Sequence, residues 1–446
     1  MSRRTRIFMI SLLILAVLAF LISRVHLGSS EVTLAIGDAP IPQPVMATDG
    51  WSALQNLDFA MARTLGGQDL PGKLVDAAEA LSCSRFAKAD QLASPLVHST
   101  NTRIRNTARD IVINARLALR DFAGALVVMP PYEDLTGENV TNTADSTNRL
   151  LIEAWSQAPG EQWSVPDTAV TLAIKRNLIG PASVSVRING VPVLFAVDTG
   201  ADFSVITDEL AERLGIQPAT EETGTSETAT SKLVSVGAAV IDFVDVGSIE
   251  IKNHRCYIID QDDLRFKLGP ITLLKIEGIL GWNFLQHLRT TFDFEHDRVI
   301  FEKPAAALAD DGRTFFWTGV SQPLIRLYAD NGTPLLLFLD TGANSTNLYK
   351  TVYQKLILEI ADSKEMMVGG AGGFERQSRD LVRNVLFYCG GVELRFKEIT
   401  VSTPIQELQS FARVDGVAGF DIAGGGAMVL DPTAGEFQLI PPTEAK

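Results

Sequence analysis

Cysteine and histidine are both scarce in this chain of 446 residues. The cysteines, Cys83, Cys256 and Cys389, are odd in number and form no C-x-x-C pair, which excludes a disulfide framework and predicts plain core residues. The five histidines never occur in H-x-x-x-H or H-E-x-x-H spacing. We therefore expect neither a metal site nor a cofactor.

Positive charge is also in short supply, since 39 Lys and Arg face 53 Asp and Glu, which gives a formal net charge of −14. A nucleic-acid-binding surface needs clustered Lys and Arg, so we expect no nucleic-acid partner. The hydrophobic fraction of 46% and the length are enough for two or three domains with ordinary cores.

Long apolar runs are limited to one, at residues 7–22, and three arginines precede it. This run is longer than a usual signal-peptide core and shorter than a comfortable membrane span, so both a cleaved signal peptide and an uncleaved anchor stay open. We favour a cytoplasmic tail at 1–6, a transmembrane anchor at 7–23 and a linker at 24–50. The rest of the chain would then lie outside the inner membrane, in the periplasm where there is one.

Residues 51–155 are rich in Ala and Leu, with charges at three- and four-residue intervals, which predicts an α-helical domain. The stretch 119–126 is similar to a piece of a tetratricopeptide helix, but no 34-residue period follows. The domain is thus either TPR-like, with a protein partner, or a helical packing module. The polar stretch 136–148 and the segment 158–167 are predicted to be loops.

The pattern becomes β-rich from residue 168, and one sequence motif then occurs twice. Asn189-Gly190 predicts a tight hairpin, the apolar residues 193–197 predict its return strand, and D-T-G-A begins directly afterwards at Asp198. The same arrangement, Asn331-Gly332 and then D-T-G-A from Asp340, follows 142 residues later. An apolar stretch ending in glycine follows each copy, at Gly281 and Gly419. Two related β lobes, 168–304 and 312–441, are the simplest interpretation.

These duplicated motifs resemble the pepsin-like and retroviral-type aspartic proteases over residues 170 to 440. The resemblance implies a mainly-β bilobal acid-protease fold with two retropepsin-like barrel lobes. With the transmembrane helix and the α-helical domain predicted above, the whole chain is expected to be multidomain. It also implies that Asp198 and Asp340 form one catalytic pair. The family also implies three supporting roles. The residues that would support the active-site loops are Thr199, Gly200, Thr341 and Gly342, and the glycines of the motif under the site would be Gly281 and Gly419. The candidate flap that covers the substrate contains Gly369, Gly370, Gly372 and Gly373.

The implied function is an aspartic endopeptidase, in which two carboxyl groups activate water and protonate the substrate. Its partner would be a peptide or protein substrate. Ser204 and either Ser345 or Thr346 are expected to hydrogen-bond the outer carboxylate oxygens or to be plain surface hydroxyls. Two alternatives stay open: an inactive peptide-binding module, and a helical adaptor that uses the β domain as a scaffold.

Overall fold

The computed structural model describes residues 31–43, 47–129, 143–176, 181–221, 224–227, 233–268, 271–307, 313–319, 323–403 and 411–443. The predicted cytoplasmic tail and transmembrane anchor lie outside these residues. Among the helices that are described, none is both long and apolar enough to span a membrane.

Helices occupy most of the described residues before the β-rich part, as the Ala- and Leu-rich pattern predicts. They are α1 Gly50–Gln55, α2 Phe59–Gly66, α3 Gly72–Ser82, α4 Phe86–Ala93, α5 Thr102–Ala118, α6 Phe122–Val128 and α7 Thr143–Ser156. The longest, α5, begins where the Asn101 side chain accepts hydrogen bonds from two backbone N–H groups of the first turn. Its buried residues Ile104, Ala108, Ile111 and Ala115 recur every three or four positions and so form one apolar face.

The loop predicted at 136–148 is wrong from residue 143 onward, because α7 begins there. Its polar first turns resemble a loop in sequence. The helix is fixed further along, where Leu151, Ile152 and Trp155 lie buried against the rest of the protein. Tertiary packing therefore decides the structure of this segment.

The β-strands, in chain order, are β1 Val32–Ile36, β2 Gln162–Ser164, β3 Val170–Ala173, β4 Ser183–Ile188, β5 Val191–Val197, β6 Ser204–Thr207, β7 Gly224–Glu227, β8 Leu233–Val246, β9 Ile249–Ile259, β10 Arg265–Leu268, β11 Ile271–Lys275, β12 Gly278–Leu280, β13 Arg289–Asp293, β14 Arg298–Glu302, β15 Phe315–Trp317, β16 Pro323–Ala329, β17 Pro334–Leu339, β18 Asn347–Tyr349, β19 Ile360–Gly370, β20 Gly373–Cys389, β21 Val392–Ser402, β22 Gly416–Ala418, β23 Ala427–Asp431 and β24 Glu436–Ile440. Two short helices interrupt them, α8 Asp208–Leu214 and α9 Trp282–Leu285. The mainly-β architecture with a helical N-terminal segment is thus confirmed.

Two large sheets share one strand order. The first runs β2-β9-β6-β12-β5-β4-β8-β7, and the second runs β1-β21-β18-β22-β17-β16-β20-β19. In each, an extra pairing, β8 with β9 or β20 with β21, curls the sheet toward a barrel. We call the described parts of 168–304 and 312–441 the first lobe and the second lobe.

A third sheet joins the lobes, in the order β24-β23-β13-β14-β3. Its central pair is β13 of the first lobe and β23 of the second, which run antiparallel with Thr291 opposite Val429. Backbone hydrogen bonds therefore cross from one lobe to the other and fix their relative positions.

The range predicted as a linker, 24–50, contributes a strand instead. β1 pairs antiparallel with β21 at the edge of the second sheet, with Val32 opposite Phe396. Val32 and Leu34 alternate along β1 and pack on the main core, so this short strand covers an otherwise open sheet edge. In the same way β2, from the predicted loop 158–167, covers the edge strand β9.

The helical segment packs on the β lobes. One continuous core contains buried residues of α1 to α5 together with both large sheets. The Phe86 ring lies edge-on to Trp317 at 5.0 Å, and Arg413 N donates to Gln55 O at 2.7 Å. The helices and the lobes therefore share buried surface.

The two predicted hairpin turns differ in detail. Asn189 and Gly190 both have positive φ, 49° and 81°, as a two-residue turn of the mirror-image type requires. In the second lobe, Gly332 alone of the matching pair has positive φ, and Ala329 N donates to Thr333 O across a three-residue loop. Both turns return the chain along the strand that ends at an aspartate.

Candidate active site

Asp198 and Asp340 occupy equivalent places in the two lobes. Asp198 follows β5, and its backbone N–H donates to Leu280 O on the parallel neighbour β12 at 3.0 Å. Asp340 follows β17, and its N–H donates to Ala418 O on β22 at 2.9 Å. Each aspartate is thus held at a strand end by the strand of the later glycine motif.

Thr199 and Thr341 link the two loops through four hydrogen bonds. The hydroxyl of each accepts from the backbone N–H of the other, at 3.0 Å in both directions. Each hydroxyl also donates to a carbonyl of the opposite lobe, Thr199 to Leu339 O at 2.6 Å and Thr341 to Val197 O at 2.9 Å. Both side chains are buried, so this network excludes water and sets the separation of the two aspartates.

The carboxyl groups of Asp198 and Asp340 lie side by side at the lobe boundary, because the Oδ1 atoms of both accept from the backbone N–H of Gly342. Asp198 Oδ1 also accepts from Gly200 N at 2.8 Å and from Gly342 N at 3.1 Å. Asp340 Oδ1 accepts from Gly342 N at 2.8 Å and Ala343 N at 3.0 Å. Backbone amides therefore fix the inner oxygens, while both residues stay partly accessible.

Gly200 and Gly342 are glycines because the carboxyl groups leave no room for a side chain. A Cβ on Gly200 would lie 2.7 Å from Asp340 Oδ1, and a Cβ on Gly342 would lie 2.6 Å from the Asp198 carboxyl carbon. Any larger residue would displace the pair.

Burial raises the pKa of both carboxyl groups above the ordinary value of an aspartate. For Asp340, the negative charge of Asp198 raises the pKa further, whereas the N–H groups of Gly200 and Gly342 partly offset the shift at Asp198. Two close carboxylates do not both ionise readily, so the pair holds one proton between them. The two carboxyl groups therefore titrate as one unit and not as two independent aspartates.

Gly281 and Gly419 lie beneath the active-site loops at contact distance. A Cβ on Gly281 would lie 2.5 Å from the backbone carbon of Phe203, and one on Gly419 would lie 2.7 Å from that of Ser345. Their N–H groups donate to Ser204 Oγ and Thr346 Oγ1, each at 3.2 Å.

This arrangement corrects the expected role of the two hydroxyls. Ser204 and Thr346 are buried, which excludes plain surface positions, and their bonds run to the glycine motifs and to residues just after them. Thr346 Oγ1 donates to Asp421 Oδ1 at 2.6 Å, and Ser204 Oγ bonds Asn283 Oδ1 at 3.1 Å. Ser204 and Thr346 therefore connect the active-site loops to the glycine motifs beneath them.

The candidate flap glycines come together in one hairpin turn between β19 and β20. Gly370 pairs with Gly373, and Gly372 and Gly373 have φ of 84° and 104°, which favours glycine. The turn reaches the first lobe, where Gly372 N donates to Asp263 O at 2.8 Å and Phe374 meets Phe266 at 5.5 Å between ring centroids. In the first lobe, β7 and β8 form the matching hairpin, and its predicted tip lies outside the described residues.

Sequence analysis missed a buried polar cluster behind the first loop. Glu161 Oε1 lies 2.5 Å from His254 Nδ1, His254 Nε2 lies 2.9 Å from Ser204 Oγ, and Arg120 Nε lies 3.2 Å from Glu161 Oε2. Burial acts to raise the pKa of Glu161, but the positive groups around it, including Arg255, lower it overall. The cluster connects the helical segment to the hydroxyl that holds Gly281. Its members are distant in sequence, and no local motif marks them.

Within the described residues, no group of three or more His, Cys, Asp or Glu is placed to hold a metal ion. Cys83, Cys256 and Cys389 are buried, and burial raises the pKa of the Cys389 thiol to about 12. Such thiols are core residues and not nucleophiles.

Comparison with known families gives one match at the first lobe. Residues 184–284 match the family described as "Aspartyl protease", and this stretch contains Asp198 and Gly281. Among solved structures, a retropepsin-like aspartic protease from Rickettsia conorii is 24% identical, and the alignment covers 31% of this chain and 94% of that chain with a TM-score of 0.22. The curated proteins contain no match.

The family match supports an aspartic-type protease, a hydrolase, as the class of protein that this site represents.

Proposed function

We propose that this protein is an aspartic endopeptidase whose single chain supplies both catalytic aspartates. The observation that carries the proposal is the paired geometry: Asp198 Oδ1 and Asp340 Oδ1, one from each lobe, accept from the same backbone donor, Gly342 N, at 3.1 and 2.8 Å. The common strand order of the two sheets supports an internal duplication.

In the proposed reaction, a water molecule binds between the two carboxyl groups. Ionised Asp198 takes a proton from this water, which attacks the peptide carbonyl carbon, while Asp340 gives its proton to the carbonyl oxygen. The proton on Asp198 then passes to the leaving nitrogen, the peptide bond breaks, and Asp340 regains its proton from the tetrahedral diol. The pair carries the whole acid–base cycle and requires no metal.

Membrane attachment is a further part of the proposal and rests on the sequence alone. The arginines before the apolar run 7–22 favour an N-terminus in the cytoplasm and a protease outside the inner membrane. A C-terminal reporter that is active only outside the cytoplasm tests this topology. A mature N-terminus near residue 31 would replace the anchor by a cleaved signal.

The test of hydrolysis uses a peptide library and the variants Asp198→Asn, Asp340→Asn and the double variant. Each single change is expected to lower kcat/KM to near background, and the double change to cost little more, because residues that act as a unit are not additive. Folded single variants that keep near-normal turnover would refute the protease. Peptide binding without any cleavage by the wild type would favour an inactive binding module.

A further inference from the structure

Helix α7 covers one face of the first lobe. It packs against β7 and β8, the first-lobe hairpin that matches the candidate flap. Trp155 is fully buried there, its ring lies 4.5 Å from Phe203 and stacks on Tyr257 at 5.4 Å, and its Nε1 donates to Ala239 O at 3.0 Å. The helix is therefore firmly seated on this face.

The covered face is the one from which Asp198 projects. Side chains alternate along a strand, so Ala196, two residues before Asp198, lies on the same side of β5. Ala196 belongs to the apolar cluster that contains Trp155, whereas its neighbours Phe195 and Val197 belong to the main core.

Neighbouring strands give the same result. Val205 on β6 and Ile279 on β12 belong to the Trp155 cluster, and Ala201, inside the D-T-G-A-D motif, packs against it. Ala196 and Ala201 contribute only small side chains to this face beside the catalytic loop. Leu151, Ile152 and Trp155 of α7 are buried in the same cluster and cover the face.

The hairpin of the second lobe is less completely covered than that of the first lobe. Val234 and Val236 of β8 are buried in the Trp155 cluster, but Met366, Met367 and Val368 of the matching hairpin remain partly exposed. The two hairpins therefore leave unequal amounts of apolar surface accessible.

We infer that Trp155 is a specificity-determining residue, a step that rests on the proposed peptidase function. It occupies apolar surface on which a large substrate side chain next to the scissile bond would pack. The substrate class is thus an extended peptide with a small residue on the side that binds the first lobe, and with larger apolar residues accepted on the other side.

The experiment compares the full chain with Trp155→Leu and Trp155→Ala on peptides that carry Ala, Leu or Phe at each position flanking the scissile bond. Loss of a buried Trp destabilises a core, so circular dichroism selects folded variants, and the milder Leu variant keeps the test available. Trp51→Ala, a half-buried Trp at the start of α1 and outside the cluster, is the matched control.

The wild type is expected to prefer Ala over Phe on one side by about tenfold or more, a range typical of apolar pockets. The Trp155 variants should reduce that ratio about tenfold and leave the other side unchanged, and Trp51→Ala should keep it. An unchanged ratio, or an equal gain for all peptides, would overturn the inference.

Binding distinguishes this inference from the proposed function. The same peptides, labelled for fluorescence anisotropy, are titrated into Asp340→Asn with and without Trp155→Leu. If the wild type cleaves nothing and binding shows the shifted preference, hydrolysis is refuted and the role of Trp155 stands. If neither protein binds any peptide, both are refuted.

Discussion

Removal of the Thr341 hydroxyl should lower the free energy of unfolding far more than the small size of this group suggests. Thr341→Val keeps the shape but leaves the Thr199 N–H and the Val197 carbonyl without this buried partner. Each orphaned buried group costs about 1–3 kcal/mol, so the loss of the two partners should lower the free energy of unfolding by roughly 2–6 kcal/mol. Since domains are stable by only about 5–15 kcal/mol, this is a large fraction.

Equilibrium unfolding in urea, followed by tryptophan fluorescence, measures the loss. Thr290→Val is the matched control, because Thr290 is fully buried and its hydroxyl has no hydrogen-bond partner in the part of the chain that the structure describes. It should be neutral or stabilising. Thr199→Val with Thr341→Val should cost less than the sum of the two single changes, since they break one network. A Thr341→Val loss no larger than the control's would refute the interlocking of the loops.

Three further outcomes are expected. Because the pKa of Asp340 is raised from 3.8, its contribution to stability is fully present at low pH and is lost as the pH rises through the raised value. In urea unfolding at a series of pH values, Asp340→Asn should therefore gain stability relative to the wild type as the pH increases. Parallel curves of unfolding free energy against pH would contradict the raised pKa. Gly342→Ala would place a Cβ 2.6 Å from the Asp198 carboxyl carbon and should lower kcat/KM about 100-fold or more. The control Gly391→Ala, whose Cβ meets open space, should keep normal activity. Equal activity of both variants would count against close contact between Gly342 and the Asp198 carboxyl group. Glu161→Gln removes a buried carboxylate that lies beside Arg120 and Arg255 and should cost roughly 3–5 kcal/mol in urea unfolding, whereas a loss below 1 kcal/mol would refute the importance of the cluster.

Local chemistry explains which parts of the fold were predictable. Asn189-Gly190 forms its turn because both residues tolerate positive φ, and the apolar run behind it is buried between neighbouring strands. The D-T-G-A repeat then brings Asp198 and Asp340 together because equivalent strands end at equivalent places. These features depend on short stretches, so the sequence pattern is sufficient to predict them.

The remaining features depend on contacts between distant segments. β1 is a strand because β21 offers an open edge about 360 residues later, and Glu161 pairs with His254 across 93 positions. Trp155 reads as an ordinary helical core residue in sequence. Its position beside the catalytic loop follows only from the packing of α7 on β7 and β8. The hydrophobic periodicity of the sequence does not predict this packing.

The central claim, that one chain supplies the whole catalytic pair, is tested most directly by mixing two inactive variants. Asp198→Asn and Asp340→Asn are purified separately, mixed in equal amounts and assayed for peptide hydrolysis over a wide range of concentration, beside active wild type. The mixture is expected to stay at the background of either variant at every concentration, because each molecule contains both loops and lacks one carboxylate. Activity that returns on mixing and grows with concentration would contradict it, since the working pair would then come from two chains.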